Sequence, residues 1–139
     1  MLPKMVFATL SEQSKSDILK KITPKYSKVY THHVTLVYAP KPNDMNRLEE
    51  FVTHGQKVLI MLGRNFSANG VEASEARVYT LGGREVPIKN AKPHVTISTD
   101  NKPPVLSNDM LEGKGEFRDA FETVETIHGS YEGIVEYIN

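Results

Sequence analysis

The sequence has no cysteine among its 139 residues. A chain without thiols forms no disulfide, offers no thiolate ligand to zinc and has no cysteine nucleophile. It also has no apolar run near the ~20 residues that a membrane-spanning helix needs. The start of the chain, Met1-Leu2-Pro3-Lys4, lacks the apolar segment of a signal peptide. We therefore expect a soluble, cytoplasmic protein with no membrane partner.

A net charge is missing as well, because 17 Lys and Arg balance 17 Asp and Glu. The two signs are unevenly distributed. Residues 1–64 carry ten basic and five acidic side chains, whereas residues 65–139 carry seven and twelve. Tight, sequence-independent binding to long nucleic acid depends on many phosphate contacts, for which a balanced chain is poorly suited. A small anionic ligand needs only a local basic patch, and the composition allows one.

Apolar runs and turn residues predict many strands and a few short helices. A helix is expected after Ser14, which has Asp17 in the spacing of a capping box, and Pro24 stops it. The predominance of strands, with a few short helices between them, predicts the α+β class. The absence of a linker or low-complexity tract predicts a single domain over residues 1–139. Further helices are predicted at 45–53 and 106–111, strands at 5–10, 29–38, 57–62, 71–81, 84–88, 94–98, 121–128 and 131–138, and turns at Asn69-Gly70, Gly82-Gly83 and Gly129-Ser130.

One short pattern occurs twice. Residues 33–36 and 94–97 both read His-Val-Thr-aliphatic, and the two copies begin 61 positions apart. Side chains alternate between the two faces of a strand, so His33 and Thr35 share one face and the aliphatic residues share the other. The second copy divides in the same way. Each copy therefore predicts a strand with an aliphatic core face and a His/Thr face that needs hydrogen-bond partners.

The residue types on these faces suit one kind of chemistry. A single histidine on a strand is usually structural. An unpaired polar group on a buried face, however, costs roughly 1–3 kcal/mol. The two His/Thr faces therefore need hydrogen bonds to water, to a ligand or to each other. Histidine titrates near pH ~6.5, so one imidazole can act as base and another as acid. Threonine hydroxyls can donate to the non-bridging oxygens of a phosphate. We therefore take four residues as candidate catalytic residues: His33, Thr35, His94 and Thr96.

Two H-x-T motifs in an α+β chain resemble the two-histidine (2H) phosphoesterase superfamily. That superfamily includes RNA ligase-like and cyclic phosphodiesterases that act on RNA ends and on cyclic or 2′-5′-linked nucleotides. The resemblance implies a pseudo-symmetric bilobal fold, in which two antiparallel half-sheets face a central cleft and the helices lie outside. It also implies general acid–base roles for the two motif histidines.

From this resemblance we expect a metal-independent phosphodiesterase that acts on a 2′,3′-cyclic phosphate or a 2′-5′ or 3′-5′ linkage, at an RNA end or in a short nucleotide. Two alternatives stay open: degradation of cyclic or 2′-5′ oligonucleotide second messengers, and a nucleotide-binding module without turnover. The expected substrate contacts are Lys92, two residues before His94, and Tyr131, which can stack on a base.

We expect no cofactor, no obligate protein partner and a monomer. A metal site is also not expected, because the histidines lack the H-x-H and H-E-x-x-H spacings. His32 on a regular strand faces away from His33, so a structural or surface role is predicted for it. Tyr30 and Tyr38 are predicted to share that opposite face as core or edge residues.

Overall fold

A computed structural model describes residues 2–117 and 122–139, with side chains described throughout these ranges except at 122–128. No helix within them is both long and apolar enough to cross a bilayer. The helices are α1 (Glu12–Lys21), α2 (Pro42–Glu49) and α3 (Leu106–Glu112), with a 3-10 helix at Gly115–Phe117. The strands are β1 (Met5–Leu10), β2 (Lys28–Val29), β3 (His33–Tyr38), β4 (Lys57–Ala68), β5 (Val71–Thr80), β6 (His94–Thr99) and β7 (Glu122–Ile138).

The strands form one antiparallel sheet in the order β2-β6-β3-β1-β7-β4-β5. β5 also pairs with β6, from Val71 opposite Thr99 to Glu75 opposite His94, and this pairing closes six strands into a barrel. The expected bilobal α+β 2H fold, with two half-sheets facing a cleft, is therefore wrong. Separate half-sheets would each leave two strand edges unpaired, whereas closure pairs the edges with each other. The two motif strands, β3 and β6, become direct neighbours in one sheet.

The aliphatic faces of both motif strands pack into the main hydrophobic core. Burying one such side chain contributes about 1.5–3 kcal/mol relative to leaving it exposed. Because successive side chains point to opposite faces, this burial turns the histidine and threonine of each motif to the other side of the sheet. The four buried motif residues are Val34, Leu36, Val95 and Ile97.

The local structure differs from the prediction at the start of α1 and within β7. Ser11 is the N-cap of α1, because its Oγ accepts the N–H of Ser14 at 3.1 Å, so the helix begins before the predicted capping box. The predicted turn at Gly129-Ser130 is wrong. These two residues pair with β4, opposite Leu62 and Met61, and β7 runs through them without a break. Of the predicted strand 121–128, residue 121 lies outside the described residues.

The strand predicted over residues 29–38 breaks at Thr31. Its φ of 49° lies in the left-handed region, an unusual conformation for a β-branched residue. Backbone hydrogen bonds hold the break on both sides: the N–H of Thr31 donates to the carbonyl of Thr96, and the carbonyl of His32 accepts the N–H of Leu10, each at 2.9 Å. The alternation of side chains therefore restarts after the break.

A β-bulge near the end of β3 reverses the alternation a second time. The register between β1 and β3 shifts between Val6 and Phe7, which leaves one extra residue of β3, at Leu36, against β1. Beyond the bulge the order of faces is exchanged, and Tyr38 is 73% exposed. Tyr38 therefore lies on the face that carries the histidine and threonine of the first motif.

Candidate active site

A cavity of about 760 Å³ lies on the side of the sheet that faces away from the main core. Its size is within the range of about 300–1,000 Å³ that is typical of small-molecule sites. Residues of β1, β3 and β6 line it, together with residues 30 and 32, residues 89 and 90, and residues 104, 105 and 108. The histidine and threonine of both motifs line it. Much of the remaining wall is apolar or aromatic, from Met5, Phe7, Tyr30, Tyr38, Pro104 and Val105.

The two motifs lie side by side in the antiparallel pair of β3 and β6. Val34 is opposite Val95, so each motif histidine lies beside the threonine of the other motif. Side chains directly opposite in such a pair have Cβ atoms about 4.5–5.5 Å apart, and diagonal neighbours are about 7–8 Å apart. His33 and His94 therefore occupy one diagonal of a rectangle, and the two threonines occupy the other. A phosphate above its centre can be reached by all four side chains.

His94 is oriented by a backbone carbonyl. Its Nδ1 lies 2.8 Å from the carbonyl oxygen of Lys92. Because a carbonyl only accepts hydrogen bonds, Nδ1 carries a proton and Nε2 is the nitrogen left for a ligand. Burial lowers the pKa of His94, and the bond to the Lys92 carbonyl opposes this change. The carbonyl therefore favours the imidazolium form once a negative charge binds nearby.

His33 has different partners. Its ring stacks on Phe7 of β1, with ring centroids 3.7 Å apart and an interplanar angle of 17°. Its Nδ1 lies 2.9 Å from Nδ1 of His32. The pKa of His33 is lowered to about 4, first by burial and then by the charges of His32 and His94. His33 is therefore neutral at pH 7 in the free protein.

The two threonine hydroxyls also differ in their surroundings. Oγ1 of Thr96 lies 2.8 Å from Oγ of Ser107 on α3 and 3.4 Å from the carbonyl oxygen of Pro104. Thr35 lines the same cavity and has no side-chain hydrogen bond within residues 2–117 and 122–139. The hydroxyl of Thr96 is therefore oriented by α3, whereas that of Thr35 is open to a ligand.

Three residues that were predicted to face away from His33 line its cavity: His32, Tyr30 and Tyr38. The break at Thr31 redirects the first two, and the bulge at Leu36 redirects Tyr38. The sequence contains no feature that marks either irregularity. Only the direct adjacency of two histidines could have drawn attention to His32.

The predicted substrate contacts, Lys92 and Tyr131, are not brought to this cavity. Lys92 lines a separate cavity of about 1000 Å³. Because β6 begins only at His94, its alternation does not extend back to Lys92. Tyr131 is 5% exposed and packs in the main core, with the ammonium of Lys21 5.3 Å from its ring centroid. Only the backbone carbonyl of Lys92 contributes to the site.

Charged side chains are few in the cavity. Lys89 is bonded to both carboxylate oxygens of Asp44 at 3.2 Å. Within the part of the chain that the structure describes, no three His, Asp or Glu side chains are grouped in a way that could hold a metal ion. The cavity therefore offers imidazoles, hydroxyls and amide groups to a ligand, on a largely apolar background.

Comparison with known proteins gives a likeness of fold. No family model matches the chain, and no curated protein matches it. A solved structure, the crystal structure of a fungal RNA kinase, matches with a TM-score of 0.64 and 12% sequence identity. The match covers 100% of this chain and 46% of that chain, so this chain spans about half the length of the kinase structure. At this identity the likeness shows a common fold and no more.

Proposed function

We propose that this protein is a metal-independent phosphodiesterase of the two-histidine type. Its substrate is a 2′,3′-cyclic phosphate or a 2′-5′ or 3′-5′ linkage, at an RNA end or in a short nucleotide. The observation that carries the proposal is the pairing of Val34 with Val95, which sets two histidines and two threonines around one point of the cavity. Part of the structure of a fungal RNA kinase has a similar fold, which supports RNA or a nucleotide as the substrate.

The reaction needs one neutral and one protonated imidazole. His33 is the base, because its lowered pKa keeps the ring neutral. With its one proton on Nδ1, the ring takes a proton from the attacking water at Nε2. His94 is the acid. The negative charge of a bound phosphate raises its pKa, and the Lys92 carbonyl stabilises the imidazolium, which then gives its Nε2 proton to the leaving ribose oxygen. The Thr35 hydroxyl donates to a non-bridging oxygen of the phosphate. The Thr96 hydroxyl donates to another in place of its 3.4 Å bond to the Pro104 carbonyl. Negative charge builds up on these oxygens in the transition state.

A panel of phosphodiesters assayed in EDTA tests this function. The panel contains nucleoside 2′,3′-cyclic phosphates, 2′-5′ oligoadenylate, cyclic dinucleotides and a short RNA with a cyclic end. We expect hydrolysis of at least one class, and loss of that hydrolysis in His94→Ala. A matched control is His54→Ala, which removes an exposed histidine bonded to the N–H of Tyr137, outside the cavity.

Three results would contradict the proposal in different ways. Loss of activity in EDTA that zinc or manganese restores would favour a metal-dependent reaction. Saturable nucleotide binding without turnover would favour a binding module. Equal activity in His94→Ala and the wild type would place the reaction at another site.

A further inference from the structure

His32 lies just after the break at Thr31, and its ring is turned toward His33. The two ring centroids are 5.1 Å apart with an interplanar angle of 82°, and the two Nδ1 atoms are 2.9 Å apart. The hydrogen bond from the N–H of Leu10 to the His32 carbonyl holds the backbone at His32. His32 is exposed, whereas His33 is half-buried.

A hydrogen bond between two Nδ1 atoms contains one proton. Which of the two rings carries this proton decides whether Nε2 of His33 is free to accept another. If the proton belongs to His33, the neutral ring has a lone pair on Nε2 and can act as a base. If it belongs to His32, the neutral His33 ring carries its proton on Nε2 and cannot accept another there. The base form of His33 therefore requires an acceptor at the Nδ1 position of His32.

We propose that His32 is a positioning residue that orients His33 as the base only while His32 itself is neutral. This inference rests on the proposed function. His32 acts on His33 as the Lys92 carbonyl acts on His94, by accepting the Nδ1 proton. A carbonyl accepts at every pH, whereas a protonated imidazole only donates. Protonation of His32 therefore reverses the shared bond, moves the proton of His33 to Nε2 and stops its action as a base.

The groups around His33 indicate that its protonation depends on the neighbouring histidines. His33 resists protonation because burial lowers its pKa to about 4, so a second proton on the His33 ring is disfavoured. The charges that act on His33 are those of His32 and His94. Phe7, on the β1 side, contributes a stacked ring without a proton to exchange. Among the side chains that the structure describes, the other titratable groups near the pair or its neighbours are Lys28, Tyr30, Tyr38, Lys89 and Glu136, the last through its bond to Thr9.

Two substitutions of His32 separate the acceptor from the titration. His32→Asn places an amide oxygen near the former Nδ1 position, which accepts a hydrogen bond and does not titrate. His32→Ala removes the acceptor. At pH 7.5 we expect His32→Asn to retain most of the wild-type kcat, and His32→Ala to lose about 10-fold or more in kcat with little change in KM, the scale of a lost partner that orients a histidine. The acidic limb of the kcat/KM profile should move to lower pH in His32→Asn. His54→Asn is the matched control and should leave the profile unchanged.

The tautomer of His33 gives a readout that needs no substrate. Long-range ¹H–¹⁵N spectra of the free protein should show His33 protonated on Nδ1 at pH 7.5 in the wild type and in His32→Asn. In the wild type, acidification should move this proton to Nε2 before His33 becomes doubly protonated. The inference would be overturned if acidification changed the His33 tautomer in the same way in the wild type and in His32→Asn, and if the acidic limb lay at the same pH in both. A tautomer change as expected, in a protein that hydrolyses no phosphodiester, would instead overturn the proposed function alone.

Discussion

Val34 of β3 lies directly opposite Val95 of β6, and this pair defines a local two-fold axis between the two His-Val-Thr segments. The axis makes the rectangle of histidines and threonines nearly symmetric in its main chain. The hydrogen-bond partners break this symmetry, since His94 is held by a carbonyl and His33 by a second histidine. One main-chain arrangement thus produces two imidazoles suited to different tasks.

The pH dependence of kcat/KM should be a bell whose basic limb lies below pH 6.5. The free protein must have His33 neutral and His94 protonated, and the pKa of His94 is lowered from 6.5 by burial. In the complex the phosphate charge raises the pKa of both rings, so the kcat bell should move to higher pH. Both profiles come from initial rates between about pH 4 and pH 9. A kcat/KM that still rises above pH 8 would contradict the assignment of His94 as the acid.

Protonation of His33 should also destabilise the folded protein. Its pKa is about 4 in the folded state against an ordinary 6.5, so the unfolded chain binds this proton more readily. The contribution to the free energy of unfolding is complete above pH 6.5 and is lost as pH falls toward 4, by up to about 3 kcal/mol at 1.36 kcal/mol per pKa unit. His94, also lowered, acts in the same direction.

Urea unfolding of the wild type and of His33→Gln at pH 7.5 and pH 4.5 measures this loss. The glutamine variant cannot titrate, so its free energy of unfolding should fall less between the two pH values. His54→Gln serves as the control for the loss of any one histidine, and should follow the wild type. Equal pH dependence in His33→Gln and the wild type would mean that His33 is not held neutral by its surroundings.

Ser107 should affect activity only through Thr96. Ser107→Ala removes the hydrogen bond that orients the Thr96 hydroxyl, and we expect about a 5-fold loss of kcat/KM for a bond worth about 1 kcal/mol. Thr96→Ala removes the donor itself and should cost roughly 10–10³-fold. The double variant should therefore be no worse than Thr96→Ala. In a Thr35→Ala background the loss from Ser107→Ala should persist in full, because the hydroxyl that Ser107 contacts is that of Thr96.

The positions of the four motif residues could be predicted because they depend on strand alternation alone. The aliphatic residues Val34 and Val95 have no alternative to burial, and burying them turns their histidine and threonine neighbours to the opposite face. The bounds of β1, set by an apolar run between polar segments, agree with the prediction for the same reason.

The partners of the strands could not be predicted from the same pattern. Alternation predicts which face a residue occupies but not which strand pairs with it. The pairing of β5 with β6 that closes the barrel could therefore not be predicted. The left-handed Thr31 and the bulge at Leu36 are decided by that tertiary pairing, at residue types that normally disfavour such irregularities. These two positions bring His32 and Tyr38 to the site, and their effect was therefore missed.

The central claim is that His33 and His94 act as one acid–base unit without a metal ion. The most direct test is the rate of hydrolysis of the best substrate in EDTA for the wild type, His33→Ala, His94→Ala and the double variant, each shown to be folded by circular dichroism. Residues that act as a unit are strongly non-additive, so each single variant should lose at least ~10²-fold and the double variant should be little worse than the more impaired single one. A folded His33→Ala or His94→Ala variant that keeps near-normal turnover in EDTA would contradict the account.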